Sequence, residues 1–158
     1  NENLDLPRAI RICKELKEYN IDYIEQPLSR EKISDFYDLR MSTDIPIGVD
    51  ESLTDFDSVN KIIDEGAADV LVVKPSTIGG FQDLKKIVNF SENERLRLVV
   101  TSAFETSAAQ FYILHLIAAL NISEHCGIFN MKLFKDDCLP NINKDQCEIP
   151  VLGLGILI

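Results

Sequence analysis

Positive charge is scarce in this chain: 16 lysines and arginines stand against 26 aspartates and glutamates, a formal net charge of −10 over 158 residues. A nucleic acid or an anionic membrane surface calls for a basic face. No lysine/arginine cluster or basic–aromatic interleaving supplies one, which argues against both partners. Histidine is rarer still, with only His115 and His125. These are too few for a histidine-based metal site with the four cysteines, Cys13, Cys126, Cys138 and Cys147, which show no CxxC pair and no nearby histidine spacing. With no disulfide framework, the thiols are expected to be reduced and structural, in a reducing compartment. Long apolar runs are missing too. Nothing approaches the about 18 to 20 apolar residues of a membrane span. The opening "NENLDLPRAI" has neither an initiator Met nor a signal or transit pattern, so the chain reads as the interior of something longer.

What is present is an ordinary globular composition, 46% hydrophobic and 27% charged, long enough for one domain with a real core. No linker or low-complexity segment divides residues 1–158. Short β-rich runs alternate with helical segments. "PRAIRICKELKEY" places Ile10, Cys13 and Leu16 at helical spacing behind Pro7, a residue suited to a first turn. "IDYIEQP", "IPIGVDE", "DVLVVKP" and "LRLVVTS" read as strands; "REKISDFYDLRMS", "FDSVNKIIDEG", "FQDLKKIVNFSEN" and "TSAAQFYILHLIAAL" read as helices. Thr54 or Asp55 caps the second of these and Gly66 stops it. "CGIFNM" and "IPVLGLGILI" are expected to be short strands.

Strand, helix and strand in succession require crossovers, hence a parallel sheet, and strands apolar nearly throughout are expected where both faces are covered. Glu25, Asp50, Lys74 and Ser102 each close a strand, at intervals of 25, 24 and 28 residues. A (β/α) barrel collects its active site from such strand ends, whereas a doubly wound sheet uses chiefly its switch point. The expected fold is therefore α/β, the C-terminal part of a TIM-like barrel, incomplete because a closed barrel needs about eight strands.

Each strand-end residue admits a structural and a chemical reading. Glu25 in "YIEQPL" is a salt-bridging or capping carboxylate, or one member of a pair with Asp50 of "IPIGVDESL". Converging carboxylates suit a hard divalent cation such as Mg²⁺, which takes oxygen ligands and keeps several waters. Lys74, at the end of "VLVVKP", is a snorkelling surface lysine, or a cation placed beside developing oxyanion charge, able to transfer protons if burial lowers its pKa. Gly79 and Gly80 either offer amides to an anionic group or make a tight turn. Ser102 either contacts a substrate carboxylate or, with Glu105 three residues on, forms a capping box. His115, inside the apolar helix "FYILHLIAAL", is expected to be packed rather than catalytic.

The motifs "YIEQPL", "IPIGVDESL", "VVKPSTIGGF" and "SAFETSA", in that order, resemble the enolase superfamily in its muconate-lactonising-like branch. "KPSTIGG" followed by "TSAFETS" is most similar to the o-succinylbenzoate synthase family, and "HCGIFNMKLFKDD" and "IPVLGLGI" also resemble it. The resemblance implies a barrel binding one Mg²⁺ through three strand-end carboxylates, of which Glu25 and Asp50 match the second and third. Asn1 matches the Asn of an Asp-x-Asn motif carrying the first, whose Asp would precede this chain, beside substrate. A Lys-x-Lys strand bearing the general base and an N-terminal capping domain would also lie upstream. Lys74 matches the opposing lysine, which stabilises the enediolate. Glu51 matches an acidic supporting position, and Ser102 a substrate contact.

The implied reaction is Mg²⁺-dependent dehydration of a succinyl-hydroxycyclohexadiene carboxylate to o-succinylbenzoate through a metal-stabilised enediolate. It belongs to menaquinone or phylloquinone biosynthesis, in a cytoplasmic or plastid-type soluble compartment. The partners implied are a small-molecule carboxylate substrate and, if the protein is split, its N-terminal half; this chain alone is expected to be inactive. The competing expectations are a racemase, epimerase or cycloisomerase of the same superfamily, and a non-catalytic α/β fragment. Dipeptide epimerases usually carry an Asp-x-Asp near the barrel's end, and none is convincing before "KLFKDD".

Overall fold

A computed structural model describes residues 1–128. Nine elements alternate along them: α1 (Leu6–Leu16), β1 (Ile24–Glu25), α2 (Ile33–Met41), β2 (Ile47–Val49), α3 (Phe56–Asp64), β3 (Val70–Val73), α4 (Phe81–Glu94), β4 (Arg97–Val100) and α5 (Ser107–Ala119). The expected strand "IPVLGLGILI" and the Asp-x-Asp region near "KLFKDD" lie outside the described residues. Of "CGIFNM", Gly127 forms a parallel bridge to Thr101.

Local chemistry explains the helix ends. Asp5 caps α1 by accepting from the Arg8 amide at 2.9 Å, and Pro7 sits in the first turn, where its missing N–H costs nothing. Of Thr54 and Asp55, it is Asp55 that caps α3, in a reciprocal box with Ser58. Gly66 ends that helix at φ +60°, a conformation glycine adopts without steric cost. The capping box considered for Ser102 and Glu105 does not form. Thr106 occupies the N-cap of α5, while the Ser102 hydroxyl donates to the Ile128 carbonyl at 3.2 Å.

The four strands are all parallel and lie in sequence order, β1-β2-β3-β4. A doubly wound sheet reverses its order at a switch point; a barrel wall does not. The two sheet faces are chemically distinct, because successive side chains point opposite ways. Ile47, Val49, Leu71, Val73, Leu98 and Val100 join one core with the helices, packed against Phe36, Val59, Ile62, Leu84, Ile87 and Ile113. The alternate residues Val70, Val72 and Val99 form a separate cluster with Tyr23 on the other face. All helices that contribute to the main core therefore cover one side, leaving the other as the interior of a curling wall.

That inner face is tight at Gly48, where a Cβ would stand 2.8 Å from the Tyr23 ring. Residues 1–4 extend the sheet beyond β1: the Glu2 amide donates to the Gln26 carbonyl at 2.9 Å and the Leu4 amide to the Pro27 carbonyl at 3.1 Å, with a parallel bridge between Leu4 and Leu28.

Candidate active site

The inner face leads directly to the strand-end residues. Glu25 follows Tyr23 by two positions, Asp50 follows Gly48, Lys74 follows Val72 and Thr101 follows Val99, so all four continue the inward set. Gly48 pairs in register with Glu25 on one side and with Val70 on the other. Asp50 and Lys74 thus stand successively further along their strands, a stagger that the tilt of barrel strands accommodates. Alternation places Thr101, rather than Ser102, on this face, and the Thr101 hydroxyl donates to the Gly127 carbonyl at 2.7 Å.

Lys74 forms an ion pair with Asp50. Their side chains are 22% and 9% exposed respectively, so Lys74 is no snorkelling surface residue. Glu25 is exposed on one side, yet desolvation by the surrounding protein, and then the neighbouring Asp50 carboxylate, push its carboxyl up from its ordinary value, against the pull of Lys74. Glu51 accepts from the Asn1 side-chain amide through Oε1 at 2.9 Å, while its Oε2 is buried with no hydrogen-bond partner. Glu25, Asp50, Glu51, Lys74 and Asn1 therefore occupy one end of the sheet.

The glycines serve the adjoining turn. Gly79 and Gly80 have φ +105° and +83°, and the Gly80 amide donates to the Pro75 carbonyl at 2.9 Å. The Gly80 N–H is thus used inside the turn that opens α4. Nearby, the Ser76 hydroxyl donates to Glu105 Oε1 at 2.7 Å, tying the loop after β3 to the loop after β4. His115 lies half-buried on α5, its Nδ1 donating to the Phe111 carbonyl at 2.7 Å, as a packed histidine would. Cys13 and Cys126 are free thiols, both pushed up by burial.

Two side chains not singled out from the sequence, Gln26 and Ser52, complete the arrangement. Gln26, fully buried between Glu25 and Pro27, accepts from the Asp50 and Ser52 amides through Oε1 and donates through Nε2 to Ser52 Oγ and the Leu28 carbonyl. An amide side chain beside a strand-end carboxylate was the available signal; its partners lie 24 and 26 residues away.

The donor set suits a hard cation. It offers carboxylate oxygens with no thiol or imidazole, a combination that favours Mg²⁺ or a similar ion. The orphaned Glu51 oxygen and the raised Glu25 carboxyl are both features that added positive charge at this end would relieve. Among the described residues no group of three or more His, Cys, Asp or Glu side chains is arranged to hold a metal ion. Glu25 and Asp50 are the two ligands this chain would offer, and Mg²⁺ is commonly bound through one or two protein carboxylates with waters and substrate completing its shell.

Known proteins resemble this chain in sequence or in fold. The o-succinylbenzoate synthase of Thermobifida fusca is 29% identical over 155 residues, covering 97% of this chain and 45% of the relative. The N-succinylamino acid racemase of Thermus thermophilus is 34% identical over 103 residues, 65% of this chain and 28% of the relative. The chain thus spans less than half the length of these relatives. The solved dipeptide epimerase of Cytophaga hutchinsonii, complexed with Mg and the dipeptide D-Ala-L-Val, superposes with a TM-score of 0.80 at 23% identity, over 87% of this chain and 37% of that one. At that identity the likeness is one of fold. The family model for the enolase C-terminal domain-like proteins matches residues 1–150, and with the sequential parallel wall and inward strand ends described above, the chain belongs to that family, the barrel part of the enolase superfamily.

Proposed function

We propose that this chain is a single partial (β/α)-barrel domain, residues 1–158, of a Mg²⁺-dependent enzyme that dehydrates a succinyl-hydroxycyclohexadiene carboxylate to o-succinylbenzoate. The observation that carries the reading is the placement of Glu25, Asp50 and Lys74 on the inner face at the ends of three successive parallel strands, with Lys74 paired to Asp50. Glu25 and Asp50 would hold the cation, with Glu51 and Asn1 supporting them. The ion, when bound, supplies Lewis-acid charge to the substrate carboxylate.

The chain's own contribution is charge placement. Removal of the proton α to a carboxylate leaves a dianionic enediolate, and the Lys74 ammonium is a localised positive charge fixed at the mouth by Asp50, suited to stabilise that charge where it develops. Loss of hydroxide from the β-carbon then completes the dehydration, the abstracted proton and the hydroxide leaving together as water. The base that takes the proton would come from a segment outside this chain, as would a further carboxylate ligand, so the expected partner is that segment, joined or separate. The Gly79–Gly80 turn would border the space a substrate enters, whereas Ser102, its neighbour Thr101 being the inward residue, would reach substrate only from the rim.

The 34% identity to an N-succinylamino acid racemase favours one second reading, racemisation of N-succinyl amino acids, which uses the same proton abstraction without loss of hydroxide. The test is to produce the protein from its complete coding sequence and compare turnover of both substrates with Mg²⁺. Dehydration is expected to dominate. Faster racemisation would replace the first reading with the second, and turnover by the isolated 158-residue chain would overturn the need for an outside base.

A further inference from the structure

Gln26 uses its full hydrogen-bonding capacity. Its side-chain Oε1 accepts from the Asp50 amide at 2.9 Å and from the Ser52 amide at 3.2 Å. Its Nε2 donates to Ser52 Oγ at 2.8 Å and to the Leu28 carbonyl at 3.1 Å. Its backbone N–H donates to the Gly48 carbonyl at 2.8 Å, and its carbonyl accepts from the Glu2 amide at 2.9 Å. A glutamine side chain has two donor hydrogens and an oxygen with two lone pairs, and here each has a partner.

The segment it grips is the turn from Asp50 to Leu53, closed by the Leu53 amide donating to the Asp50 carbonyl at 2.8 Å. Gln26 reaches it with a backbone φ of +37°, a left-handed conformation rare for a residue with a Cβ. Asp50 and Ser52 are each 7% exposed, so water cannot readily replace the amide oxygen between them.

We propose that Gln26 is a positioning residue: its side-chain amide holds the Asp50–Leu53 turn and thereby sets where Asp50 presents its carboxylate, to Lys74 and to a divalent cation. The cation half rests on the proposed reading of the site; the hold on the turn does not. Glu25 and Asp50 stand on neighbouring strands, and the turn after β2 lies beyond their pairing, anchored at its far end by the buried Leu53. The amide adds a polar hold at its Asp50 end, coupling the strand of Glu25 to the backbone of Asp50.

The test compares wild type with Gln26→Met, which keeps the side chain's length and removes its polar atoms, in the protein made from its complete coding sequence. Two readouts are needed. Amide hydrogen exchange at Asp50 and Ser52 is expected to speed up by about tenfold or more while Val72 and Val99 keep their rates, because those two amides lose their acceptor and the strand ladder does not. Mn²⁺ titrated by electron paramagnetic resonance is expected to bind about tenfold more weakly or worse, the scale seen when groups behind a metal ligand are removed.

Unchanged exchange at Asp50 and Ser52 overturns the proposal, since something else would hold the turn. Faster exchange with Mn²⁺ affinity intact also overturns it, since the amide would then only stabilise a loop. If wild type takes up no Mn²⁺, the cation reading of the site fails on its own account. The Lys74 ammonium resonance then decides for Gln26. Its loss in Gln26→Met, through faster exchange once Asp50 is displaced, supports positioning, and its persistence overturns it. Should Gln26→Met not fold, Gln26→Asn keeps an amide one methylene short of the turn, and the same outcomes apply.

Discussion

Arg97 on β4 holds Asp22, just ahead of β1, by two hydrogen bonds of 2.8 and 3.0 Å, although 75 residues separate them. The guanidinium lies 5.7 Å from the centre of the Tyr23 ring and also reaches Glu124 at 3.0 Å. Since β1 and β4 are the outermost named strands of the sheet, this contact is a chord across the inner face. It closes the curve of the wall at the end opposite the candidate active site.

Replacing Arg97 with Lys is expected to lower the urea midpoint, and Arg97→Ala to lower it further, because an ammonium cannot reproduce a forked contact to two carboxylates over an aromatic ring. The Arg97 hydrogen bonds hold the Asp22 carboxyl below its ordinary value of 3.8. A depressed carboxyl contributes stability that is present above that ordinary value and is lost as pH falls through the folded-state value. Arg97→Ala should therefore flatten the acid limb of the stability profile, measured by urea melts from about pH 5 downward, while wild type retains it.

Gly48→Ala tests the close approach on the inner face. A Cβ would meet the Tyr23 ring at 2.8 Å, and overpacking of this kind costs about 1–3 kcal/mol. Pairing it with Tyr23→Leu should recover part of that loss. Equal denaturant midpoints for Gly48→Ala and wild type would show that the ring moves aside freely.

Lys74→Met is expected to destabilise the protein more than the double change Asp50→Asn with Lys74→Met. The single change leaves Asp50 charged and unpaired at 9% side-chain exposure, a situation that costs about 3–5 kcal/mol in fully buried pairs and less here, where Lys74 is partly open to water. Activity separates from stability: if Lys74 stabilises developing negative charge, both variants lose turnover by about 10²-fold or more. Chemical denaturation and steady-state kinetics on the same preparations check both.

Glu2 offers a local pH readout. Its carboxylate takes three hydrogen bonds of 2.8 Å from the Arg30 backbone and side chain, which pull its pKa from 4.5 down to about 2. The clasp is fully present above 4.5 and is lost as pH falls through about 2. A carboxyl-carbon NMR titration should show Glu2 ionised at about pH 3.5, and Arg30→Ala should return its midpoint to the ordinary range.

Much of this architecture is legible along the chain because it depends on near neighbours. The apolar runs ending at Glu25, Asp50 and Lys74 mark strands, the Asp55–Ser58 box and Gly66 bound a helix, and the spacing of strand-end residues distinguishes a barrel wall from a doubly wound sheet. Each signal involves residues within a few positions or a simple period. The choice between readings of Ser102 is not local: capping and substrate contact are equivalent until the strand ahead of it fixes Thr101 as the inward residue.

The sequence by itself determined the order of strands and helices and the residue type at each strand end, since periodicity and turn chemistry act over single turns and pleats. Only the tertiary structure decided that Lys74 is paired with Asp50, that Gln26 holds the turn beyond β2, and that Arg97 spans the wall to Asp22. Those contacts join residues 24, 24 and 75 positions apart. They exist because parallel register and sheet curvature bring distant strand ends together, and register is set by burying both faces of the central strands β2 and β3 at once.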